Sequence, residues 1–406
     1  MASITCDICL SNAQLESLVR QHGTPLFIID CDQVRRQYVR LRTALPGVTL
    51  HYAIKALPHP EVLATLRDEG SCFDIASSGE IELLRGQGVS PEAAIHTHPI
   101  KTELEIQRAL AWGCNTFVVD NAVELRKFAP FRERCTLLLR ISFRNPDALF
   151  DLSKKFGCAP QDALALLQLA ESLGLSVKGF SFHVGSQCAT PRAHVQAIAA
   201  CRELILAAEE ARLPPLDVLD IGGGFPLAYS GEPLDIDVFC APIREALSSL
   251  PPYVRVISEP GRFIVGPAAH SVASVIGKAY RDESIWYYLD DGVYGSYSGQ
   301  IFDHARYPIS VIASHVHHEK PVRSSCLAGP TCDSVDVIAE EMLLPELEIS
   351  DLVVGHMMGA YTSATASEFN SLEKAKVVVL NAPSGATHEG ATTHTRLLAV
   401  RKATAE

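Results

Sequence analysis

Between Leu26 and Gly266 the chain repeats one pattern: a short apolar run, then a stretch with apolar residues at helical spacing. The runs expected as strands are Leu26–Asp30, Leu50–Lys55, Phe73–Ala76, Ala94–Thr97, Thr116–Val119, Thr136–Ile141, Val177–His183, Val218–Ile221 and Val254–Glu259. The stretches expected as helices include Pro60–Glu69, Ser78–Gly86, Lys101–Ala111, Pro160–Leu173 and Arg192–Ala211. Strands that alternate with helices imply a parallel sheet, because a parallel pair needs a crossover to connect it. Eight or so such units in succession suit a closed (β/α)8 barrel. A doubly wound open sheet would carry Gly-x-Gly-x-x-Gly at its first strand–helix turn, and none stands there. The α/β reading is therefore a barrel over residues 26–266.

After Pro267 the texture changes. Strand-like runs at Ser271–Ile276, Ile285–Leu289, Pro308–Ala313, Asp351–Val354 and Ala375–Leu380 are separated by turn-rich loops. These, with residues 1–25, predict a second, mostly antiparallel β domain over 1–25 plus 267–406. A chain of 406 residues with 47% hydrophobic content can bury two such cores. The polar stretch Ser384–Glu406 is expected to fray.

The formal net charge of -12 disfavours nucleic acid as a partner, since no counterions would be released by contact with phosphates. A cationic substrate would be drawn in. The 12 cysteines are scattered and read as reduced thiols of a cytoplasmic protein. Cys6 and Cys9 have no second pair and no histidine cluster after them, so a zinc site is not expected. His315-Val-His-His318 also lacks a completing ligand, and no metal is assigned. The N-terminus has no basic start followed by an apolar stretch, and no apolar run is long enough to cross a bilayer.

Four motifs carry chemistry, each at a strand end. In His51-Tyr-Ala-Ile-Lys55, strand alternation puts Lys55 on the face of Ala53 and His51, toward the barrel mouth. A desolvated lysine there is nucleophilic toward an aldehyde. Gly222-Gly223-Gly224-Phe-Pro lets backbone N–H groups converge on an anion. Glu259-Pro-Gly-Arg262 offers a carboxylate for a pyridine nitrogen and a guanidinium for phosphate. His183-Val-Gly-Ser186 offers a ring to stack on a planar cofactor and a hydroxyl for phosphate. Taken singly, each has a plainer reading: a surface lysine, a tight turn, a surface ion pair, a core histidine. Together they make the set that a barrel-bound pyridoxal 5′-phosphate requires.

With these motifs in order, the sequence resembles the fold-type III pyridoxal-phosphate decarboxylases of ornithine, lysine, diaminopimelate and arginine over nearly its whole length. Further matching stretches are Phe73-Asp-Ile-Ala-Ser77, Gly329-Pro-Thr-Cys-Asp-Ser334 and Gly359-Ala-Tyr-Thr362. The resemblance implies an alanine-racemase-like barrel, a β domain, and a homodimer with shared active sites. It implies Lys55 as the cofactor-carrying lysine, and His183 stacked on the ring. Ser186, Gly223, Gly224, Arg262 and Tyr361 are the implied phosphate ligands, and Glu259 the pyridine-nitrogen partner. Asp74, Glu80 and Arg140 match positions that line the cofactor pocket. Cys332 and Asp333 are implied to enter each site from the other subunit, with Cys332 protonating the substrate α-carbon. Lys155 and Asp336 resemble an intersubunit ion pair.

The substrate follows from the branch. Cys332-Asp333-Ser334 resembles ornithine and lysine decarboxylases, whereas the diaminopimelate enzymes resemble Cys-Glu-Ser. Phe302-Asp303-His304 and Gly292-Val-Tyr294-Gly-Ser296 resemble the ornithine enzymes as well. Asp303, Asp333 and Tyr294 are thus the implied substrate-binding residues, and ornithine or lysine the expected substrate. Departures at Leu57, His96-Thr-His-Pro-Ile-Lys101 and His356-Met-Met358 keep diaminopimelate, or a conjugated diamino acid of siderophore or other specialised biosynthesis, as alternatives. A silent homologue that acts by binding a protein partner, and a racemase, are the readings from other classes.

Overall fold

The computed structural model describes residues 10–143, 154–313 and 322–383. Cys6, Cys9, the His315–His318 run and Ser384–Glu406 lie outside them. The described chain opens with helix α1 (Asn12–His22), strand β1 (Leu26–Asp30) and helix α2 (Cys31–Ala44). Ser11 caps α1 reciprocally with Gln14, which satisfies donors at the helix start.

The barrel closes from eight parallel strands: β2 (Val48–Ala53), β3 (Cys72–Ile75), β4 (Ala94–His96), β5 (Thr116–Val119), β6 (Thr136–Ile141), β7 (Val177–Phe182), β8 (Val218–Asp220) and β9 (Arg255–Ser258). Each strand pairs with the next, and β9 returns to β2 through Val48↔Val256 and Leu50↔Ser258. Helices α3 (Pro60–Asp68), α4 (Ser78–Gly86), α5 (Glu103–Trp112), α6 (Ala122–Phe128), α7 (Ala163–Ser172), α8 (Arg192–Glu210) and α9 (Ile236–Ser248) make the crossovers. Ile95, Val118, Leu138, Val218 and Ile257, from five different strands, form one buried cluster that holds the sheet closed. At Gly179 a Cβ would lie 1.8 Å from the Val218 carbonyl oxygen, so only glycine lets β7 and β8 approach there.

The second compact unit is a sheet of eight strands. Its ordered path is β12 (Ile309–Ile312), β15 (Leu352–Gly355), β10 (Ala269–Arg281), β11 (Ser284–Leu289), β13 (Arg323–Ala328) and β14 (Val337–Leu344), with β1 and β16 (Lys376–Leu380) attached through β10. Pairing is mostly antiparallel; β1–β16 and β11–β13 are parallel. A register shift between Val275 and Gly277 lets β10 serve β1 and β15 with its first half and β11 with its second.

The sequence placed β1 at the head of the barrel, and the structure corrects this. Of the described residues, 10–34 group with the β domain, as do 228–233, 265–313 and 322–383. The reason is packing. Leu26 and Ile28, two residues apart on one face, join Leu15 and Leu18 of α1 and Val272, Ile312, Leu352, Val354 and Val378 in one apolar core. β1 is buried along its whole length between β10 and β16, a central strand that reads like a barrel strand. The apolar runs of β13 and β14 and helices α1, α2, α6 and α9 were not anticipated. Ile28→Ala should lower the urea midpoint, costing about 2–5 kcal/mol through lost burial and a residual cavity. The exposed Val123→Ala serves as control and should leave the midpoint nearly unchanged.

Candidate active site

Lys55 stands one step beyond its strand. The β2 ladder ends at Ala53↔Asp74, the Ala53 N–H turns to the Pro260 carbonyl at 3.0 Å, and Ile54–Ala56 form a single 3-10 turn. The expected alternation of Lys55 with Ala53 and His51 therefore does not apply. The turn still delivers Lys55 to the C-terminal end of the barrel. Its Nζ lies 3.7 Å from Oδ2 of Asp74, at the end of the neighbouring strand. The lysine is half exposed, whereas the aspartate side chain is 2% exposed.

Asp74 accepts a short hydrogen bond from Thr97 Oγ1, beyond the end of β4. Burial and the nearby Glu259 push its carboxyl up to about 7, against the opposing pull of Lys55, Thr97 and Arg140. Glu80 accepts the Ala76 N–H at 2.5 Å, and burial raises it to about 7 as well. Arg140, near the end of β6, acts electrostatically on Asp74, Asp220 and Glu259.

The glycine triplet follows β8. Gly222 has φ +65°, and a Cβ there would meet the Phe182 carbonyl oxygen at 2.2 Å. A Cβ on Gly223 would come within 2.7 Å of the Glu259 carbonyl oxygen, and one on Gly224 within 2.4 Å of Gly185 O. The turn is tied down on all sides. Asp220 Oδ1 accepts the Gly222 N–H at 2.9 Å, and the Glu259 N–H and Ser258 hydroxyl donate to Gly222 O at 2.8 and 2.9 Å. His194 of α8 bonds Gly223 O at 3.0 Å and stacks on Phe225.

Ser186 and Arg262 meet: Nη2 of the arginine donates to Oγ at 3.2 Å. His183 accepts the Gly185 N–H on Nδ1 at 3.1 Å. Burial and the cations Arg140 and Lys55 hold its ring well below the usual histidine range, and therefore neutral. Glu259 is buried, and burial together with Asp220 raises its carboxyl well above the usual range. Lys55, Asp74, Glu80, Arg140, His183, Ser186, Gly223, Gly224, Glu259 and Arg262 thus all belong to the barrel unit, close to or just beyond strand ends.

The remaining expected residues belong to the β domain, except Lys155, which belongs to the barrel unit. Tyr294 donates a short hydrogen bond to Asp333 and stacks on Phe369 at 4.3 Å between centroids. Cys332 is exposed, and its N–H and Sγ reach Asn370 Oδ1 at 3.3 and 3.5 Å. Asp303 ends the short helix Gly299–Asp303, and Tyr361 holds a left-handed φ of 56°. Asp336 is buried and already accepts from the Val293 and Thr331 N–H groups and the Thr331 hydroxyl, so it shapes the Gly329–Asp333 loop. Lys155 is exposed, with Nζ 4.9 Å from the Phe156 ring centroid.

Sequence reading missed Asp220, Thr97 and His194. Asp220 is an acid inside the apolar run Val218–Ile221, and it is fully buried. That mismatch was the available signal. Lys101 was noted only within a departing stretch. Buried, it donates to the carbonyls of His98, Pro99 and Val118 at 2.5, 3.2 and 2.6 Å, fixing the loop that carries Thr97.

Residues 31–266 match the family model described as the pyridoxal binding domain of pyridoxal-dependent decarboxylases. The chain belongs to the pyridoxal-dependent decarboxylases. It is 37% identical to a lysine/ornithine decarboxylase of Selenomonas ruminantium over 91% of this chain and 93% of that one. A lysine/ornithine decarboxylase of Vibrio vulnificus, solved with putrescine, superposes with a TM-score of 0.87 at 52% identity, covering 92% of this chain and 99% of that one. An antizyme inhibitor 2 of Xenopus laevis is 36% identical over 86% of this chain and 80% of that one. The family's cofactor is pyridoxal 5′-phosphate, and its decarboxylases are carboxy-lyases.

The barrel residues fit that cofactor. Glu259 Oε1 is a buried acceptor with no donor, amid the carboxyls of Asp74 and Asp220. A protonated ring nitrogen supplies the donor and positive charge that this acidic pocket lacks. Gly222→Ala should therefore cut the cofactor retained after desalting, measured by absorbance per chain. Gly231→Ala, at φ +80° but facing open space, should retain far more.

Proposed function

We propose that the chain decarboxylates L-ornithine or L-lysine to the corresponding diamine and CO2. The observation that carries this is the meeting of Lys55 with buried Asp74 in a barrel mouth that also holds the glycine turn and Glu259. Putrescine, held by the Vibrio relative, is what ornithine becomes on losing its carboxylate.

Pyridoxal 5′-phosphate supplies an electron sink for the charge left on the α-carbon when CO2 departs. In this reading Lys55 carries the cofactor, and Asp74 orients its amine. Gly223, Gly224, Ser186 and Arg262 hold the phosphate, with Tyr361 as a further ligand. The neutral ring of His183 lies against the cofactor's face, and Arg140 lines the pocket. Glu259 keeps the ring nitrogen protonated, since a close carboxylate favours the cationic form. Asp303, Asp333 and Tyr294 bind the substrate's distal ammonium, because two carboxylates suit one cation. Cys332 gives a proton to the α-carbon. Cys332 and Asp333 act in this scheme across a homodimer, where Asp336 faces Lys155 of the second copy. A cytoplasmic location belongs to the same proposal. Its support is that no disulfide joins the ten described cysteines, and that no helix among the described residues is long and apolar enough to cross a membrane.

The antizyme-inhibitor relative favours a second reading, a barrel that binds a protein partner without catalysis. CO2 release decides between them. The purified, cofactor-loaded protein should release CO2 from ornithine or lysine faster than from arginine, diaminopimelate or conjugated diamino acids. No release from either would remove this assignment. Lys55→Ala should abolish both release and the visible absorbance band of lysine-bound cofactor. Glu259→Ala should cut turnover far more than cofactor content; equal losses would count against its role at the ring nitrogen.

A further inference from the structure

Asp220 is absent from the residues assigned above, yet it is completely buried at the end of β8. Its Oδ1 is taken by the Gly222 N–H. Its Oδ2 and Glu259 Oε1 are both buried without any donor, and the two carboxyl groups lie in hydrogen-bonding contact. Two ionised carboxylates have no proton to place in such a contact, so they repel across it. One proton turns the same contact into an O–H···O⁻ bond.

The groups facing the pair set its charge. Asp74 comes from β3, Lys55 from the turn after β2, and Arg140 from β6. Two cations face three acids there, with Glu80 acting on the set through Asp74 and Lys55. A third cation, the cofactor's ring nitrogen, is best matched by a pair that bears a single negative charge.

We propose that Asp220 is a positioning residue that holds one shared proton and donates it as a hydrogen bond to Glu259, leaving the glutamate anionic toward the cofactor's ring. This rests on the cofactor-binding reading above. Burial raises both carboxyls, which favours a proton held by the pair. A cation beside Glu259 favours the ionised form there, so the proton lies on Asp220 Oδ2, and no proton enters or leaves the pair.

Asparagine tests this, because it copies both jobs of a protonated aspartate. Its Oδ1 accepts the Gly222 N–H and its Nδ2 donates to Glu259, with no charge. D220A removes both and should weaken cofactor affinity by about tenfold or more. D220N should recover most of that loss. Infrared spectra of the full-length holoprotein should show a protonated-carboxyl C=O band that disappears in D220N and persists in D74N. Affinity lost as fully in D220N as in D220A, or no band lost in D220N, would overturn the proposal. If D220N fails to fold, aspartate 13C-labelled at the side-chain carboxyl in D74N holoprotein reads the same band. A label-sensitive band supports the shared proton, and its absence overturns it. Cofactor that binds with these outcomes reversed sinks only the Asp220 role. A chain whose visible absorbance band is unaffected by Lys55→Ala sinks the reading beneath it.

Discussion

Asp74, Glu80, Asp220 and Glu259 crowd the C-terminal end of a closed barrel, against Lys55 and Arg140. Concentrating so much like charge away from water opposes ionisation, and all four carboxyls are raised. Such an arrangement persists only where the surrounding scaffold fixes it or a ligand relieves it. Here the scaffold is a ring of short parallel strands, with Asp74, Arg140, Asp220 and Glu259 at or near the ends of four of them. In the proposed function the relief is the protonated ring nitrogen of the cofactor, which would supply positive charge beside Glu259.

The neutral partners are as constrained as the charged ones. The glycine turn is bonded from β8, from β9 and from α8, so its backbone geometry is set by three elements at once. Lys101 does the same for the loop after β4. As a buried cation it is pushed down to about 7 by burial, yet it satisfies three carbonyls. Lys101, Asp220, Ser258 and His194 therefore hold the loop of Thr97 and the glycine turn in place, which is how a loop-built site gains the rigidity of its strands.

The β domain follows a different physical logic. Its core depends on α1 and β1 being returned to a sheet whose other strands come more than two hundred residues later. Asp336 shows the local version. A carboxylate expected to reach a second chain is, within one chain, the acceptor that shapes the loop bearing Cys332 and Asp333.

The alternation of apolar runs and helical spacing determined the barrel, because parallel strands buried on both faces leave little freedom in pattern or connection. The motifs at Lys55, His183, Gly222–Gly224 and Glu259–Arg262 were equally legible, since glycine triplets and charged groups at strand ends stand out against apolar neighbours. Tertiary structure alone decided where β1 belongs, for a fully buried strand carries the same residues in either sheet. It alone brought Asp220 to Glu259 and Thr97 to Asp74. These contacts join positions at or just beyond the ends of different strands, and their spacing in the chain encodes no trace of the distance between them.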